Sequence, residues 1–278
     1  MRNFTAGNKA QIFVFDKSAD RQFRTHVKNV AAESGFHDFT HDGVEYTIEP
    51  SLAEIEGRAA EVFRSICENQ SIGHLEEETR QFLSRYLALQ LTRTRQAREV
   101  KSGMVESTRE LLQSRGDDPS RLDELRDFSD NEESLSAIRQ MHSSGEYAPY
   151  FLVKKWALLK ANRRYPFYLG DHPIALHNSR DFGPYGNIGL AVPGIEIYFP
   201  ISRSYTLAMW CPTIETVMGE LEAGNAVSCQ PDNITFMNSL QVRTAERFVY
   251  SYDGNFDLVK RMLTEHPEYR NGPRITVC

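Results

Sequence analysis

Arg163-Arg164-Tyr165-Pro166-Phe167-Tyr168-Leu169-Gly170-Asp171-His172-Pro173 places two guanidiniums, three aromatic rings, a carboxylate and an imidazole on one short segment. A carboxylate held beside a stacking surface suits proton abstraction, with Asp171 as general base and His172 titrating near neutrality. The competing reading is an Asp that accepts backbone N–H bonds inside a Pro-bounded turn. The residue types support both equally.

Two more polar sets break an apolar pattern. Leu52, Ile55, Ala59, Val62, Phe63 and Ile66 recur at helical spacing, and Glu56 shares their face. A carboxylate there is expected to be partly desolvated, which raises its pKa unless a cation is near. On a second helical pattern, Leu83 and Tyr86 give way to Gln90, Arg93 and Ala97 on the same face. Unpaired buried polar groups cost about 1–3 kcal/mol each, so partners are expected. The pairing predicted is Glu56 with Arg93 and Gln90, either as a site or as an internal ion pair joining two helices.

Lys154, Lys155, Lys160, Arg163 and Arg164 interleave with Trp156, Tyr165, Phe167 and Tyr168. Such mixtures neutralise phosphates and stack on bases, although Lys and Arg also cover ordinary amphipathic helices. His37-x-x-x-His41 lies in a loop or strand context, where i, i+4 histidines do not converge, so no metal site is expected there. Gly183-Pro184-Tyr185-Gly186-Asn187-Ile188-Gly189 contains a proline and no lysine, and reads as a loop rather than a phosphate cradle. Neither a Walker loop nor a G-x-S-x-G elbow is present, and no cofactor is implied.

The elements that must position these groups are a mixture. Gln11 to Phe15 reads as a strand followed by a turn at Asp16-Lys17-Ser18. Ser51-x-x-Glu54 is a capping box opening the first helix, and a longer helical pattern runs from about Glu76 to about Gln113, weak at Gly103. Residues 115–133 form an acidic, exposed connection. Helical pattern resumes near Leu135 and again from about Tyr147 to Asn162. Ile195 to Phe199 and Tyr205 to Trp210 read as paired strands around a turn containing Pro200. Asn233 caps a last helix carrying Asn238, before a strand at Phe248 to Tyr252. The expected fold is α+β, with a central helical bundle flanked by N-terminal and C-terminal antiparallel β segments in one domain over residues 1–278.

A chain of 278 residues with 40% hydrophobic and 25% charged residues suits a soluble globular protein. Its apolar runs fall short of a membrane span, no export signal opens it, and four scattered cysteines suit a reducing cytoplasm. A net charge of −6 argues against sequence-blind wrapping of nucleic acid but leaves room for a local basic face.

Several landmarks together resemble the domain-of-unknown-function family 4238. They are Arg2-Asn3-Phe4 with the following strand, Val27 to Glu33, Ile55-Glu56, Gln90-x-x-Arg93, Gly170-Asp171-His172-Pro173, Glu196-Ile197-Tyr198-Phe199-Pro200, and Asn238 to Tyr250. The resemblance covers most of the chain. It implies a bacterial protein of no settled activity, with some members near phage-defence genes. That family usually carries a paired-histidine segment upstream of the Arg-Asn-Phe, which the sequence in hand does not include.

The function expected is an intracellular hydrolase directed at nucleic acid, most simply a DNA glycosylase removing a base in phage defence. Asp171 or Glu56 would supply the carboxylate, with His172 beside it. Tyr165 and Phe167 would stack, Gln90 or Asn238 would read a base edge, and Arg93, Arg163 and Arg164 would hold phosphate. The alternatives are a metal-dependent nuclease and a binding or sensing protein without catalysis.

Overall fold

The computed structural model describes residues 2–5, 10–29, 38–41, 44–93, 108–110, 112–118, 143–182, 187–214 and 223–271. The expected acidic connection at 115–133 and the helical pattern near Leu135 fall almost wholly outside them. So do His37, residues 94–107, and residues 183–186 of the glycine-rich loop.

Two sheets and a set of helices form a mixed α/β molecule. Strands β1 (Gln11–Asp16), β2 (Arg21–His26), β6 (Leu169–Gly170) and β11 (Phe248–Ser251) form a four-stranded sheet in the order β2-β1-β11-β6. A second sheet runs β10-β5-β9-β8-β7, from β5 (Lys155–Lys160), β7 (Ala175–His177), β8 (Glu196–Ser202), β9 (Tyr205–Trp210) and β10 (Ala226–Ser228). Its pairs are antiparallel except β10 with β5, which run parallel. A separate hairpin joins β3 (Asp38–His41) to β4 (Val44–Thr47).

Among the described residues, the helices lie on both faces of the five-stranded sheet. α1 (Glu49–Asn69), α2 (Glu77–Thr92) and the short α3 (Ala148–Leu152) cover one face of the five-stranded sheet. There Phe63, Ile66, Leu83, Leu87 and Phe151 meet Leu158, Ile197, Phe199 and Leu207 in the main core. Burying each large apolar side chain contributes about 1.5–3 kcal/mol. α4 (Pro231–Thr244) lies on the opposite face, where Ile234, Met237 and Leu240 pack on Ala157, Leu159, Tyr198 and Ala208. The far end of α4 turns to the four-stranded sheet. Val242 and Ala245 pack there with Phe15, Val249 and α5 (Asp257–Glu265).

α1 and α2 cross steeply rather than lying side by side. Arg58 reaches Glu78 and the Phe82 ring, whereas Glu56, only two residues earlier, reaches Arg93. Those contacts span about four turns of α2 at 3.6 residues per turn.

Other sequence expectations need correction. The segment expected to be helical from Tyr147 to Asn162 makes only the short α3 before becoming β5, buried on both faces between β10 and β9. Ser51 does not cap α1. Ile48 holds the N-cap position and Pro50 sits in the first turn, where its missing N–H costs nothing. Pro200 lies inside β8 at a register shift, and the β8–β9 turn is Arg203-Ser204. A residue without an N–H is tolerated in a strand at such an irregularity. α4 starts two residues before Asn233, with Gln230 as N-cap. Among the described residues, no helix is long and apolar enough to cross a membrane.

Candidate functional site

The steep crossing of α1 and α2 brings the first polar set together. Arg93 closes α2, and its Nη1 donates to Glu56 Oε1. The pair predicted from the sequence is formed, but it is open to water: the Glu56 side chain is 48% exposed and that of Arg93 25%. The expected desolvation of Glu56 is therefore absent. The helix turns Glu56 outward even though its spacing from Leu52 and Phe63 suggests otherwise.

Tyr86 stands two turns before Arg93 on α2, with its ring packed edge-on against Phe63 at 5.6 Å and against Phe199 at 6.4 Å. Burial pushes its hydroxyl up to about 12, while the Arg93 guanidinium pulls it down and the Glu56 carboxylate pushes it further up. The phenol is a neutral donor at physiological pH. Between Tyr86 and Arg93 lies Gln90, which is buried and whose Nε2 has no acceptor among the described residues. Gln90 thus does not join the Glu56–Arg93 pair. Buried amide donors without partners are rare enough that each calls for a reason.

The Asp171 loop is organised differently. Asp171 Oδ1 accepts the Glu246 N–H at 2.8 Å, and Oδ2 accepts those of Arg247 and Phe248, each at 2.9 Å. Burial pushes the carboxyl up, and the three amides and the Lys17 ammonium oppose that rise. Lys17 is fully buried and donates to the carbonyls of Val242 (3.0 Å) and Ala245, closing the end of α4. Burial brings its pKa down to about 8, held up by Asp171 and Glu246. Next to it, buried Asp16 takes a bidentate contact from Arg247 at 3.1 and 2.8 Å, and that guanidinium holds the Asp16 carboxyl at about 2. Asp16, Lys17, Asp171 and Arg247 together tie β1, α4, β6 and β11.

The rest of the loop is clamped by α4. Asn238 accepts the Tyr168 N–H at 2.8 Å and donates to the Pro166 carbonyl at 2.9 Å. Gln241 accepts from Gly170 at 2.9 Å and donates to the Pro173 carbonyl at 3.0 Å. Gly170 comes so near that a Cβ on it would meet the Gln241 carbonyl oxygen at 3.2 Å. Both ends of the Asn238 amide are therefore committed to the backbone, leaving none for a base edge. His172 is buried and its Nδ1 has no partner among the described residues. Burial lowers its pKa to about 4, so it does not titrate near neutrality as expected.

The basic-aromatic cluster divides in the same way. Lys154 donates to the Leu190 carbonyl at 2.7 Å, Lys155 to that of Ile214 at 3.0 Å, and Lys160 to Gln70 Oε1 at 2.7 Å. Trp156, Phe167 and Tyr168 are buried, and Phe167 is fully so, which removes it as a stacking surface. Arg163, Arg164 and Tyr165 remain exposed on one turn, with Tyr165 at 47%. That turn is joined to the β8–β9 turn through Ala161 N–H to Ser204 O and Phe167 N–H to Arg203 O. Arg203, whose guanidinium lies 3.7 Å from the centre of the Tyr252 ring, extends the basic-aromatic surface.

The site residues thus fall into three groups. Glu56 and Arg93 meet at the helix crossing, with Gln90 buried three residues before Arg93 on α2. Asp171, His172, Asn238 and Phe167 belong to the interior, with Phe167 packed between α4 and the five-stranded sheet and Asp171 bound to the start of β11. Arg163, Arg164 and Tyr165 form an exposed turn. Sequence reasoning missed Lys17, which sits in what reads as a turn, and Arg203, whose stacking partner lies 49 residues away in sequence. Among the described residues, no three His, Cys, Asp or Glu side chains are placed to hold a metal ion.

Residues 1–255 match a protein family described as "Protein of unknown function (DUF4238)". No curated protein and no solved structure matches the chain.

Proposed function

The chain belongs to the DUF4238 family, and from that premise we propose that it is a nucleic-acid-directed hydrolase, most simply a DNA glycosylase serving phage defence. We centre the reaction on Glu56, with Arg93, Gln90 and Tyr86 around it. The observation that carries the proposal is the buried Gln90 amide, without an acceptor among the described residues, three residues before the Arg93 that pairs with a water-accessible carboxylate. A buried donor without an acceptor suits a substrate carbonyl or ring nitrogen, which would satisfy it on binding. Glu56 would then orient water toward the glycosidic carbon. Arg93 holds that carboxylate in place through its hydrogen bond, and Tyr86 offers a neutral hydroxyl.

The preference for a polymeric substrate rests on spacing. Lys160 is bonded to Gln70 at the end of α1, and Arg163 follows three residues later. Glu56 lies fourteen residues before Gln70, about 21 Å along the helix axis at 1.5 Å per residue. A small molecule would not bridge the carboxylate and the basic turn, whereas about six base pairs of duplex would. Asp171, Asn238 and Phe167 leave the reacting set because their polar groups and ring are taken up by the interior, and His172 leaves it because burial holds its imidazole neutral and away from solvent.

The test is release of base from unmodified and phage-type modified DNA, read as abasic sites. The proposal expects sites with the wild-type protein, at least a hundredfold fewer with Glu56→Gln, and undiminished yield in EDTA. DNA left without abasic sites by the wild-type protein would end the glycosylase reading. Strand scission that appears only with Mg²⁺ or Mn²⁺ would replace it with the nuclease reading.

A further inference from the structure

The opposite face of the five-stranded sheet carries a polar-aromatic row that the proposed hydrolase does not use. His177 in β7 pairs directly with Glu196 in β8, and Glu196 pairs directly with Trp210 in β9. Residues opposite one another on neighbouring strands point to the same face, so imidazole, carboxylate and indole stand in a line at strand spacing, about 4.8 Å apart. Phe236 on α4 closes over this line. Its ring meets that of His177 edge-on at 5.0 Å and that of Tyr198 at 6.2 Å, and the residue stays 38% exposed. Tyr198, flanked across the strands by Ala175 and Ala208, donates its hydroxyl to Glu196 Oε2 at 2.5 Å. Burial raises that phenol well above its usual range, and the adjacent carboxylate raises it further, so the donor keeps its proton.

Glu196 is only partly exposed, yet no cation among the described residues pairs with it. Lys155, next in the row beyond Trp210, sends its ammonium to the Ile214 carbonyl instead. One carboxylate oxygen is held by Tyr198, and His177 and Trp210 stand opposite Glu196 on the two neighbouring strands. A partly desolvated carboxylate without a counter-charge is costly, and rings beside it favour a ligand that carries positive charge on an apolar body. A neutral sugar or nucleobase would leave the Glu196 charge uncompensated.

The geometry points to a binding site for an organic cation at His177, Glu196, Trp210 and Phe236: a small alkylammonium, or the same group on a larger molecule. The site lies across the sheet from Glu56 and Arg93, since Phe199, the β8 neighbour facing the other way, is the residue that packs against Tyr86.

The two tryptophans give a direct readout. Trp156 sits in the main core with its indole N–H on the Phe151 carbonyl, so its resonance serves as an internal control for that of Trp210. Choline is titrated while both indole N–H signals are followed by nuclear magnetic resonance, with its uncharged tert-butyl isostere and sodium chloride as controls. The expected result is a saturable shift of the Trp210 signal with choline alone. Glu196→Gln, which still accepts the Tyr198 hydroxyl, weakens binding on the order of tenfold, and Phe236→Ala weakens it several-fold. Glu56→Gln titrates like the wild type, which separates this site from the proposed reacting centre. The inference is overturned if the Trp210 signal does not move saturably, if the isostere binds as well as choline, or if Glu196→Gln titrates like the wild type.

Discussion

Replacing Asp171 by asparagine separates the two roles that its loop suggests. The substitution keeps the shape and one carbonyl oxygen but puts an NH₂ group where Oδ2 receives the Arg247 and Phe248 amides. Two charge-assisted hydrogen bonds are lost, each contributing about 1.5–3 kcal/mol, and two backbone donors are left facing another donor. Buried Lys17 also loses the anion that most offsets its desolvation. The loss predicted is about 3–6 kcal/mol, a large share of the 5–15 kcal/mol typical of a folded domain. Urea unfolding followed by tryptophan emission measures it, as a fall in midpoint with the slope unchanged. Any loss of activity in Asp171→Asn should track the unfolded fraction, and the folded fraction should turn over at the wild-type rate. Stability within about 0.5 kcal/mol of wild type would refute the anchoring role. So would a fully folded variant that is inactive, which would return Asp171 to the chemistry.

Further outcomes follow from the same contacts. His172 is held neutral with its pKa near 4, below the unfolded value of about 6.5. The stability it contributes is complete above pH 6.5 and is lost by about 3 kcal/mol as pH falls toward 4. His172→Phe should flatten that limb of a stability–pH curve, and an unchanged curve would contradict the assignment. Lys17→Met removes the ammonium from the end of α4 and the cation that opposes the burial of Asp171; a loss of about 3–5 kcal/mol in chemical denaturation is expected. Arg163→Ala with Arg164→Ala leaves the fold intact, because both side chains are exposed. It should reduce the slope of log affinity for duplex DNA against log salt by about two, and an unaltered slope would remove that turn from the interface.

Parts of this arrangement were legible in the sequence for identifiable reasons. The Glu56–Arg93 pair could be predicted because both residues interrupt apolar helical stripes, and a charge there needs a partner. β1 and the β8–β9 pairing follow from their short β-rich runs between turn residues. β5 was hidden because Trp156 to Leu159 is apolar throughout: burial on both faces erases the alternation that marks a strand, and the run continues from a real helix. The role of Asp171 was not readable locally, since the amides that bind it lie 75 to 77 residues further along the chain. Nor does composition distinguish Tyr165 from Phe167, two residues apart, although one is 47% exposed and the other fully buried. Which ring faces solvent is set by the Asn238 clamp on Pro166 and Tyr168, a contact between distant segments.

Gln90→Met tests the central claim most directly, because it removes a buried amide that has no acceptor among the described residues and keeps most of the side chain's length and volume. An amide donor kept for the substrate weakens the fold when nothing is bound, so the variant should gain about 1–2 kcal/mol of stability while base release from DNA falls at least a hundredfold. A variant that is less stable than wild type, or that releases base as fast, would contradict the claim that this amide waits for a ligand.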